Sequence, residues 1–408
     1  MEIIYERCCG MDVHKDTIVA CFISGRKKTT KTFSTTTSSL LQLVDWLKIN
    51  ECQYVAMEAT GAYWKPIYNV LEMEEMPTLV VNAQHIKAVP GRKTDVKDSE
   101  WIADLLRHGL LNGSYIPNRD QRELKELVKY RRSLIQERAR ELNRIQKILE
   151  GANIKLSSVV SEIDGKSSRQ MLEMLASGET DVKVMASKAQ MRLKQKTSQL
   201  EEALRGFIDN HQKLMLKAML SHIDYLDSQI STLDKEIEQR VLPIQDKVDL
   251  IDGIPGIAKR SAQVIVSQIG INMDQFPTAA HLASWAGLCP GNNESAGKRR
   301  SGRTRKGNDM LKTTLIECSK SASHQNKTYF SAQYKRIATR RGKNRATTAV
   351  AHTMLTIIYQ ILKNNLPYYE LGSDFFEQQR KNEIVQKSVK RLESLGYSVT
   401  VEETLPGA

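Results

Sequence analysis

The chain has 408 residues, of which 40% are hydrophobic and 26% are charged. This length predicts two or three domains, and the hydrophobic fraction excludes a wholly disordered chain. No apolar stretch approaches the roughly 18 residues that cross a bilayer, and the first residues lack a signal-peptide pattern, so we expect a soluble cytoplasmic protein with no membrane partner. The six cysteines lack metal-ligand spacing, which predicts reduced, mostly buried thiols and no zinc site.

The formal net charge of +13 predicts a polyanionic partner, and nucleic acid is the commonest one. Simple solubility is the alternative interpretation. The distribution of charge favours nucleic acid, because residues 291–345 contain fifteen basic residues and only three acidic ones. The candidate phosphate-binding residues in this segment are Lys298, Arg299, Arg300, Arg303, Arg305 and Lys306.

Residues 1–118 alternate strand and helix signals. β-rich runs predict strands at residues 8–12, 17–24, 31–34, 54–58 and 78–82. Apolar spacing predicts helices at residues 38–48, 62–73 and 99–106. Three early strands followed by alternating helices and strands indicate an α/β domain, in the order of an RNase H-like fold.

The charged, periodic sequence of residues 119–243 predicts two long helices, at 121–150 and at roughly 189–241. Short helices and turns are predicted near 151–180. In the second helix, apolar residues step by alternating threes and fours, which is the seam of a coiled coil. The seam consists of Leu216, Met219, Ile223, Leu226, Ile230, Leu233 and Ile237. Two interpretations are open, an intramolecular helical hairpin with the first long helix and a dimerisation arm, and both can hold at once.

Residues 244–370 predict a third, mostly α-helical domain, followed by a charged tail at 371–408 with a small strand at 397–401. Around residues 250–268, two helices flank an apolar-Pro-Gly-apolar turn, the pattern of a helix-hairpin-helix. Amides near Gly253 and Gly256 can hold a DNA phosphate, although some such hairpins only pack against protein. A basic loop at 290–308 and an amphipathic helix at 347–362 complete the domain.

Four carboxylates stand out by their placement. Asp12 and Glu58 each end an apolar strand, and Asp95 and Asp98 lie three residues apart before a helix. Carboxylates gathered at the ends of adjacent strands repel one another, and divalent cations relieve that repulsion. Each acid taken alone is also explained by turn or cap chemistry. The basic residues Arg92 and Lys93 lie in a loop beside these acids and are candidates for nucleic-acid contact.

These segments resemble the DEDD-type transposases of the one-ten insertion-sequence family, some of which are bridge-RNA-guided recombinases. The resemblance covers nearly the whole chain, and the order of its motifs is highly specific. It is carried by residues 10–15 (GMDVHK), 57–61 (MEATG), 93–98 (KTDVKD), 251–257 (IDGIPGI), 285–290 (WAGLCP), 295–298 (SAGK) and 306–308 (KGN).

The resemblance implies a RuvC-like metal-binding domain at 1–118, a coiled-coil arm at 119–243, and a C-terminal transposase domain at 244–370. By position, Asp12, Glu58, Asp95 and Asp98 are the implied catalytic acids and the ligands of Mg²⁺. Ser295 is the implied nucleophile, with Ser301 as the fallback. A covalent serine–DNA intermediate would retain bond energy for strand exchange, so no nucleotide cofactor is expected.

The implied partners are target DNA, donor DNA and a noncoding guide RNA. The implied assembly is a homodimer or homotetramer in which different subunits complete one site, acting at the nucleoid of a prokaryotic cell. A metal-only nuclease resembling Holliday-junction resolvases and a non-catalytic nucleic-acid-binding scaffold are the competing functions.

Overall fold

A computed structural model describes residues 2–59, 61–82, 98–291, 293–295, 298–379 and 381–401, with the backbone alone described for 293–295, 298–301 and 382–384. The chain forms two compact units, Met1–Pro117 and Asn118–Ala408. The first is a mixed α/β unit and the second is mostly helical, as the sequence predicts. Within the described residues, no helix combines the length and apolarity needed to span a membrane.

The first unit contains a five-stranded sheet in the order β3-β2-β1-β4-β5. Its strands are β1 (Arg7–Val13), β2 (Thr17–Ser24), β3 (Lys27–Ser34), β4 (Tyr54–Glu58) and β5 (Thr78–Val81). The first three strands pair antiparallel through short turns, whereas β4 lies parallel to both β1 and β5. Parallel pairing needs crossover connections, which is why helical segments occur between the later strands.

Helices cover both faces of this sheet. They are α1 (Thr37–Ile49), α2 (Trp64–Met73) and α3 (Asp98–Arg107). Because side chains alternate along a strand, Cys9 and Met11 pack in the same core as α1 and α2, whereas Cys8 packs in the core that contains α3. Strand β1 is therefore buried on both faces and ends beside Asp12.

The second unit begins with a helical hairpin. Its long helices are α4 (Arg119–Gly151) and α9 (Asn210–Val241). Between them lie α5 (Leu156–Val159), α6 (Lys166–Ser177), α7 (Val182–Ala186), a 3₁₀ helix (Met191–Lys196) and α8 (Thr197–Ala203).

The sequence-based prediction that the second long helix runs from residue 189 is wrong. The helix begins only at Asn210, after an Asp209–Gln212 capping box in which the Gln212 amide N–H donates to Asp209 Oδ1 at 2.7 Å. Just upstream, a Cβ on Gly206 would lie 2.4 Å from the Ala152 carbonyl oxygen, so the chain turns here against the end of α4. Local capping and this close approach override the apolar spacing that extends across 189–210.

The coiled-coil seam of α9 is filled within one chain. Ile223 packs with Ile145 of α4, Leu226 and Ile230 pack with Leu134, and Ile237 joins the core around α4 as well. This is the intramolecular hairpin of the two alternatives. Oligomerisation stays a prediction, and contacts between copies through this arm would have to use residues outside the buried seam.

The rest of the second unit is a helical bundle with one small sheet. Its helices are α10 (Gln245–Asp252), α11 (Lys259–Ile269), α12 (Ala279–Trp285), α13 (Asp309–His324), α14 (Tyr329–Arg341), α15 (Lys343–Asn364), α16 (Phe375–Gln378) and α17 (Lys381–Ser394). A continuous apolar core joins α10 to α15, with Phe330, Val350 and Leu355 fully buried.

The predicted strand at residues 397–401 is wrong, because these residues have no regular secondary structure. Apolar alternation alone does not make a strand, since a strand needs a partner for its backbone groups. Earlier in the tail, Phe376 stacks on Tyr329 with ring centroids 5.0 Å apart, which attaches α16 to the bundle.

Candidate functional site

Asp12 and Glu58 are brought side by side by the register of β1 and β4. Met11 pairs with Met57 in the parallel ladder, so the next position on each strand carries one of the two acids. Met11 and Met57 share the core that contains α1 and α2, so by alternation both acids project toward the opposite face, where α3 packs. The sequence predicts carboxylates brought together at the ends of adjacent strands, and their role as metal ligands stays a prediction.

Asp98 is the first residue of α3, the helix that packs on the face of the sheet toward which Asp12 and Glu58 project. This helix sits directly on Gly10 of β1, since a Cβ there would lie 2.2 Å from the Ala103 amide nitrogen and 2.4 Å from the Ser99 carbonyl oxygen. Gly10 precedes Asp12 by two residues and Ser99 follows Asp98. The glycine therefore lets the first turn of α3 approach the strand that carries Asp12.

The surroundings of this acidic corner are polar and partly closed. Asp12 is half-buried, and its Oδ2 lies 3.1 Å from His14 Nε2. The Ser99 hydroxyl is fully buried and has no hydrogen-bond partner among the described residues. The sequence drew attention to neither His14 nor Ser99, because their proximity to the acids depends on the turn after β1 and on how α3 packs.

The donor chemistry of the corner fits a hard divalent cation, since carboxylate oxygens are the ligands that Mg²⁺ prefers. Within the described ranges, however, no three His, Cys, Asp or Glu side chains lie close enough together to hold a metal ion. Asp95, Arg92 and Lys93 fall at residues 83–97, outside the described residues. Of the four predicted metal ligands, the structure therefore describes Asp12, Glu58 and Asp98.

Ser295 lies on a β-hairpin, where the sequence predicted a loop. Its strands are β6 (Asn293–Ser295) and β7 (Lys298–Ser301), with Ser295 paired to Lys298 at the turn end. Ser301 pairs with Asn293 at the opposite end, next to the body of the unit. The two candidate serines therefore occupy opposite ends of one hairpin. The side chains of Ser295, Lys298, Arg299, Arg300 and Ser301 lie outside the described residues.

The base of this hairpin is held by backbone contacts that the sequence did not reveal. Pro290 and Thr304 form an isolated bridge, and the Gly291 amide donates to the Arg303 carbonyl at 2.8 Å. Below them, a Cβ on Gly307 would lie 2.3 Å from the amide nitrogen of Gly287. Two glycines twenty positions apart thus allow the entering and leaving chains to touch.

Side chains continue this anchoring into α13. Lys312 Nζ donates to Thr304 Oγ1 at 2.6 Å. Asn308 caps α13 by accepting from the Leu311 amide at 3.0 Å, and its Nδ2 donates to Gln268 Oε1 at 2.9 Å. Gly307 and Asn308 of the KGN motif therefore have structural roles, and Lys306 beside them is exposed.

Cations of the second unit fall into two groups. In the helical arm many of them form ion pairs, such as Arg131 with Asp234 at 2.8 Å and Arg240 with Glu123 at 2.6 Å. Another group is exposed and forms no ion pair with any residue that the structure describes. That group consists of Arg305, Lys306, Lys320, Lys327, Lys335, Arg340, Arg341, Lys343 and Arg345. An uncompensated surface of this kind attracts phosphates.

The turn between α10 and α11 packs against neighbouring helices, unlike the exposed basic residues of the second unit. Gly256 has φ +88°, and a Cβ there would lie 2.6 Å from the Cys318 carbonyl oxygen, so this glycine serves close packing against α13. At the start of α11, Lys259 and Arg260 pair with Glu238 and Asp234 of α9. Gly253 has no atom within 3.5 Å of an added Cβ. These contacts favour the packing interpretation of the turn, and phosphate binding by Gly253 and Gly256 stays a prediction.

Comparison with protein families gives two matches. A transposase model of the DEDD type named for IS110 matches residues 9–154, and the model described as "Transposase IS116/IS110/IS902 family" matches residues 248–335. The first match spans Asp12, Glu58, Asp95 and Asp98, and the second spans the hairpin and its base.

Individual relatives are distant but extensive. The transposase for insertion sequence element IS1111A of Coxiella burnetii is 24% identical over 88% of this chain and 90% of the relative. The pilin gene-inverting protein of Moraxella lacunata is 23% identical over 88% of this chain and 96% of the relative. The IS110 43.6 kDa protein of Streptomyces coelicolor is 26% identical over 68% of this chain and 73% of the relative.

Proposed function

The chain belongs to the IS110 family of transposases and is a DNA transposase or recombinase, and from that premise we propose that it cuts and rejoins DNA through a covalent bond to Ser295. The observation that carries this proposal is the hairpin itself, a firmly based element with a candidate nucleophile near its turn, followed by a series of exposed, unpaired cations. A nucleophile that attacks a polyanion needs both rigid positioning and charge compensation.

The proposed domains follow the two units. Residues 1–118 form an RNase H-like, RuvC-like domain, supported by three antiparallel strands followed by two parallel ones with helices on both faces. Residues 119–243 form the arm, residues 244–370 the transposase domain with a helix-hairpin-helix, and residues 371–408 the tail. Assembly as a homodimer or homotetramer, with different subunits completing one site, belongs to the same proposal.

Asp12, Glu58, Asp95 and Asp98 would hold Mg²⁺ at the acidic corner. The register of β1 and β4 supports the pairing of Asp12 with Glu58, and the packing of α3 on Gly10 places the helix that begins at Asp98 against the same strand. When bound, the ion would supply electrostatic stabilisation of a phosphodiester undergoing attack. Bringing these carboxylates together would make them repel one another, and a divalent cation would relieve that repulsion.

The covalent step is a transesterification. Ser295 Oγ attacks the phosphorus, the bond from phosphorus to one bridging oxygen breaks, and that oxygen leaves as a free hydroxyl carrying the proton given up by the serine. A phosphoserine diester links the protein to the other DNA end. Attack by the hydroxyl of a new strand reverses the step and restores Ser295, so no nucleotide cofactor is consumed. Lys298, Arg299 and Arg300, next along the hairpin, would stabilise the charge on the non-bridging oxygens.

DNA, both target and donor, is the proposed polyanion at Arg303, Arg305 and Lys306. A noncoding guide RNA is the proposed source of sequence choice, and the number of exposed cations beyond the hairpin supports a second nucleic-acid strand. The proposed place of action is the nucleoid in the cytoplasm of a prokaryotic cell, because the substrate is chromosomal DNA.

The test is to trap the covalent intermediate. The full-length protein is incubated with its guide RNA, matching DNA and Mg²⁺, and adducts are resolved on a denaturing gel. We expect an adduct with the wild type and with Ser301→Ala, and none with Ser295→Ala. Asp12→Asn and Glu58→Gln should reduce the adduct by about a hundredfold or more.

The competing functions give different results. Cleavage that persists without an adduct in Ser295→Ala would identify a metal-dependent nuclease. DNA binding without cleavage at any Mg²⁺ concentration would identify a scaffold. An adduct lost only in Ser301→Ala would move the nucleophile to the opposite end of the hairpin.

A further inference from the structure

We propose that a groove beside the β6–β7 hairpin receives one unpaired nucleotide of the DNA strand being processed, and that Gln333 contacts the nucleobase. The inference rests on the proposed function, because it takes DNA as the substrate. The groove has a volume of about 720 Å³, which is within the range of small-molecule sites.

The position of the groove ties it to the hairpin. One wall comes from the hairpin base, with Leu288 and Pro290 on the entering chain and Gly302–Thr304 on the leaving chain. The other wall comes from α14 and α15. The same chain segments lead directly to Ser295 and Ser301. A DNA strand bound at the hairpin would therefore pass the mouth of this groove.

Gln333 provides the polar contact. It is nine-tenths buried, and its Nε2 donates to Thr353 Oγ1 at 2.8 Å, which fixes the amide plane. Its Oε1 has no hydrogen-bond partner among the described residues. A buried acceptor without a partner is unfavourable, so a donor that enters the groove lined by Gln333 and reaches this oxygen would remove that penalty. The N–H groups on the edge of a nucleobase are such donors, and Gln is a common partner of bases.

The charge distribution of the groove matches a nucleotide. No Asp or Glu is among the described residues that line it. His352 lies inside, and burial lowers the pKa of its imidazole, so the ring is neutral at neutral pH. The cations Arg303 and Arg345 complete the lining from the hairpin base and from the first turn of α15. A neutral interior with cations beside it suits an uncharged base attached to a phosphate.

Base insertion also explains why the groove adjoins the chemistry. A nucleotide withdrawn from its stack leaves the neighbouring phosphate exposed to attack, and contacts in the groove would offset the loss of stacking. The groove lies at the hairpin that carries the candidate nucleophile, which favours the processed DNA strand over a guide RNA as its occupant.

The test measures binding to single strands that differ only in their bases. Fluorescein-labelled DNA oligonucleotides of equal length, either base-bearing or abasic at the central positions, are titrated with the full-length protein. We expect the wild type to bind base-bearing strands about tenfold more tightly. Gln333→Leu should bring base-bearing strands to the affinity of abasic ones and leave the abasic affinity unchanged.

The control is Gln360→Leu, the same substitution at an exposed position of α15 that does not line the groove, and it should keep the tenfold preference. Thr353→Val removes the partner of the Gln333 amide and should weaken the preference partly, which guards against misfolding of a single variant. Equal preference in wild type and Gln333→Leu would overturn the proposal.

A parallel titration uses RNA oligonucleotides of the same sequences. Tighter, Gln333-dependent binding of RNA would overturn the assignment to DNA. Failure of the wild type to bind any strand, abasic or not, would count against the proposed function as well. Binding without a base preference would contradict only the proposal that the groove receives a nucleobase.

Discussion

Gly10 lies beneath the first turn of α3, two residues before Asp12. A side chain there would collide with the Ser99 carbonyl oxygen and the Ala103 amide nitrogen, and both are backbone atoms of the helix. Because α3 would have to lift, we expect Gly10→Ala to lower the free energy of unfolding of the first unit by about 3 kcal/mol. Urea unfolding followed by circular dichroism measures the change.

Ser99→Ala is the matched control at the same contact. It deletes a buried hydroxyl that has no partner among the residues that the structure describes, and it leaves the Ser99 carbonyl in place, so stability should be unchanged or slightly raised. Wild-type stability in Gly10→Ala would contradict the close seat of α3 on β1.

The buried thiols of the sheet make its stability depend on alkaline pH. Burial raises the pKa of Cys8 to about 11 and that of Cys52 to about 12, from an ordinary value of 9.0. Between pH 9 and those values the unfolded chain loses thiol protons that the folded chain keeps, so the unfolded state is favoured progressively. The stabilisation is complete below pH 9 and is lost as pH rises toward 11 and 12.

Urea unfolding of Cys8→Ala across this range checks the sign. We expect the decline in stability between pH 9 and pH 11 to be shallower than in the wild type, because one of the shifted groups is gone. Near neutral pH the two proteins should show the same pH dependence. A steeper decline in the variant would show that Cys8 is not responsible.

The positions of some residues in the fold could be predicted from the sequence, and those of others could not. Asp12 and Glu58 were predictable because each ends an apolar run, and parallel strands bring their ends together. Gly287 and Gly307 were not, because the close approach that requires them joins segments twenty positions apart. Gln333 was not either, since its unsatisfied oxygen depends on how α14 packs beside α15.

At the scale of elements, the hairpin depends on its base. We expect Gly307→Ala to disrupt the junction, because the added methyl would meet the Gly287 amide and the Ala286 carbonyl carbon at 2.3 and 2.5 Å. The variant should keep most of its helical circular dichroism but lose adduct formation by about a hundredfold, since a small displacement of a nucleophile has effects of that size.

Gly302→Ala serves as the control inside the same hairpin base. No atom lies within 4 Å of a Cβ at this position, so the substitution should leave stability unchanged. Equal adduct yields from Gly307→Ala and the wild type would argue against a need for a fixed base.

The elements that sequence missed share a physical cause. The prediction for residues 189–241 followed apolar periodicity, but Gly206 presses on the end of α4 and the Asp209 cap starts a new helix. The hairpin of β6 and β7 escaped notice because its residues are charged and small rather than β-branched. Periodicity reports which residues are buried, and it does not report where the backbone turns.

At the scale of the whole molecule, charge separates the arm from the last helices. We expect Arg340→Ala with Arg341→Ala to weaken DNA binding equally across sequences and to reduce the slope of log affinity against log salt by about two, because two phosphate contacts are lost. Fluorescence anisotropy over a salt series measures both quantities.

Lys217→Ala with Lys235→Ala is the control, since it removes the same charge from exposed positions on α9 of the arm. That variant should keep the wild-type slope. Equal losses in the two double variants would mean that net charge, rather than a defined surface, governs binding.

The touching glycines at the base of the hairpin have a consequence for engineering. Because the chain enters and leaves this element at nearly one point, residues 288–306 form a cassette whose ends are fixed by Gly287 and Gly307. We expect that such a cassette can be exchanged between relatives when Leu288, which is buried in the core of the unit, is kept. Chimaeras joined at these two glycines should therefore fold, and they offer a route to transplanting the chemistry of one relative onto the scaffold of another.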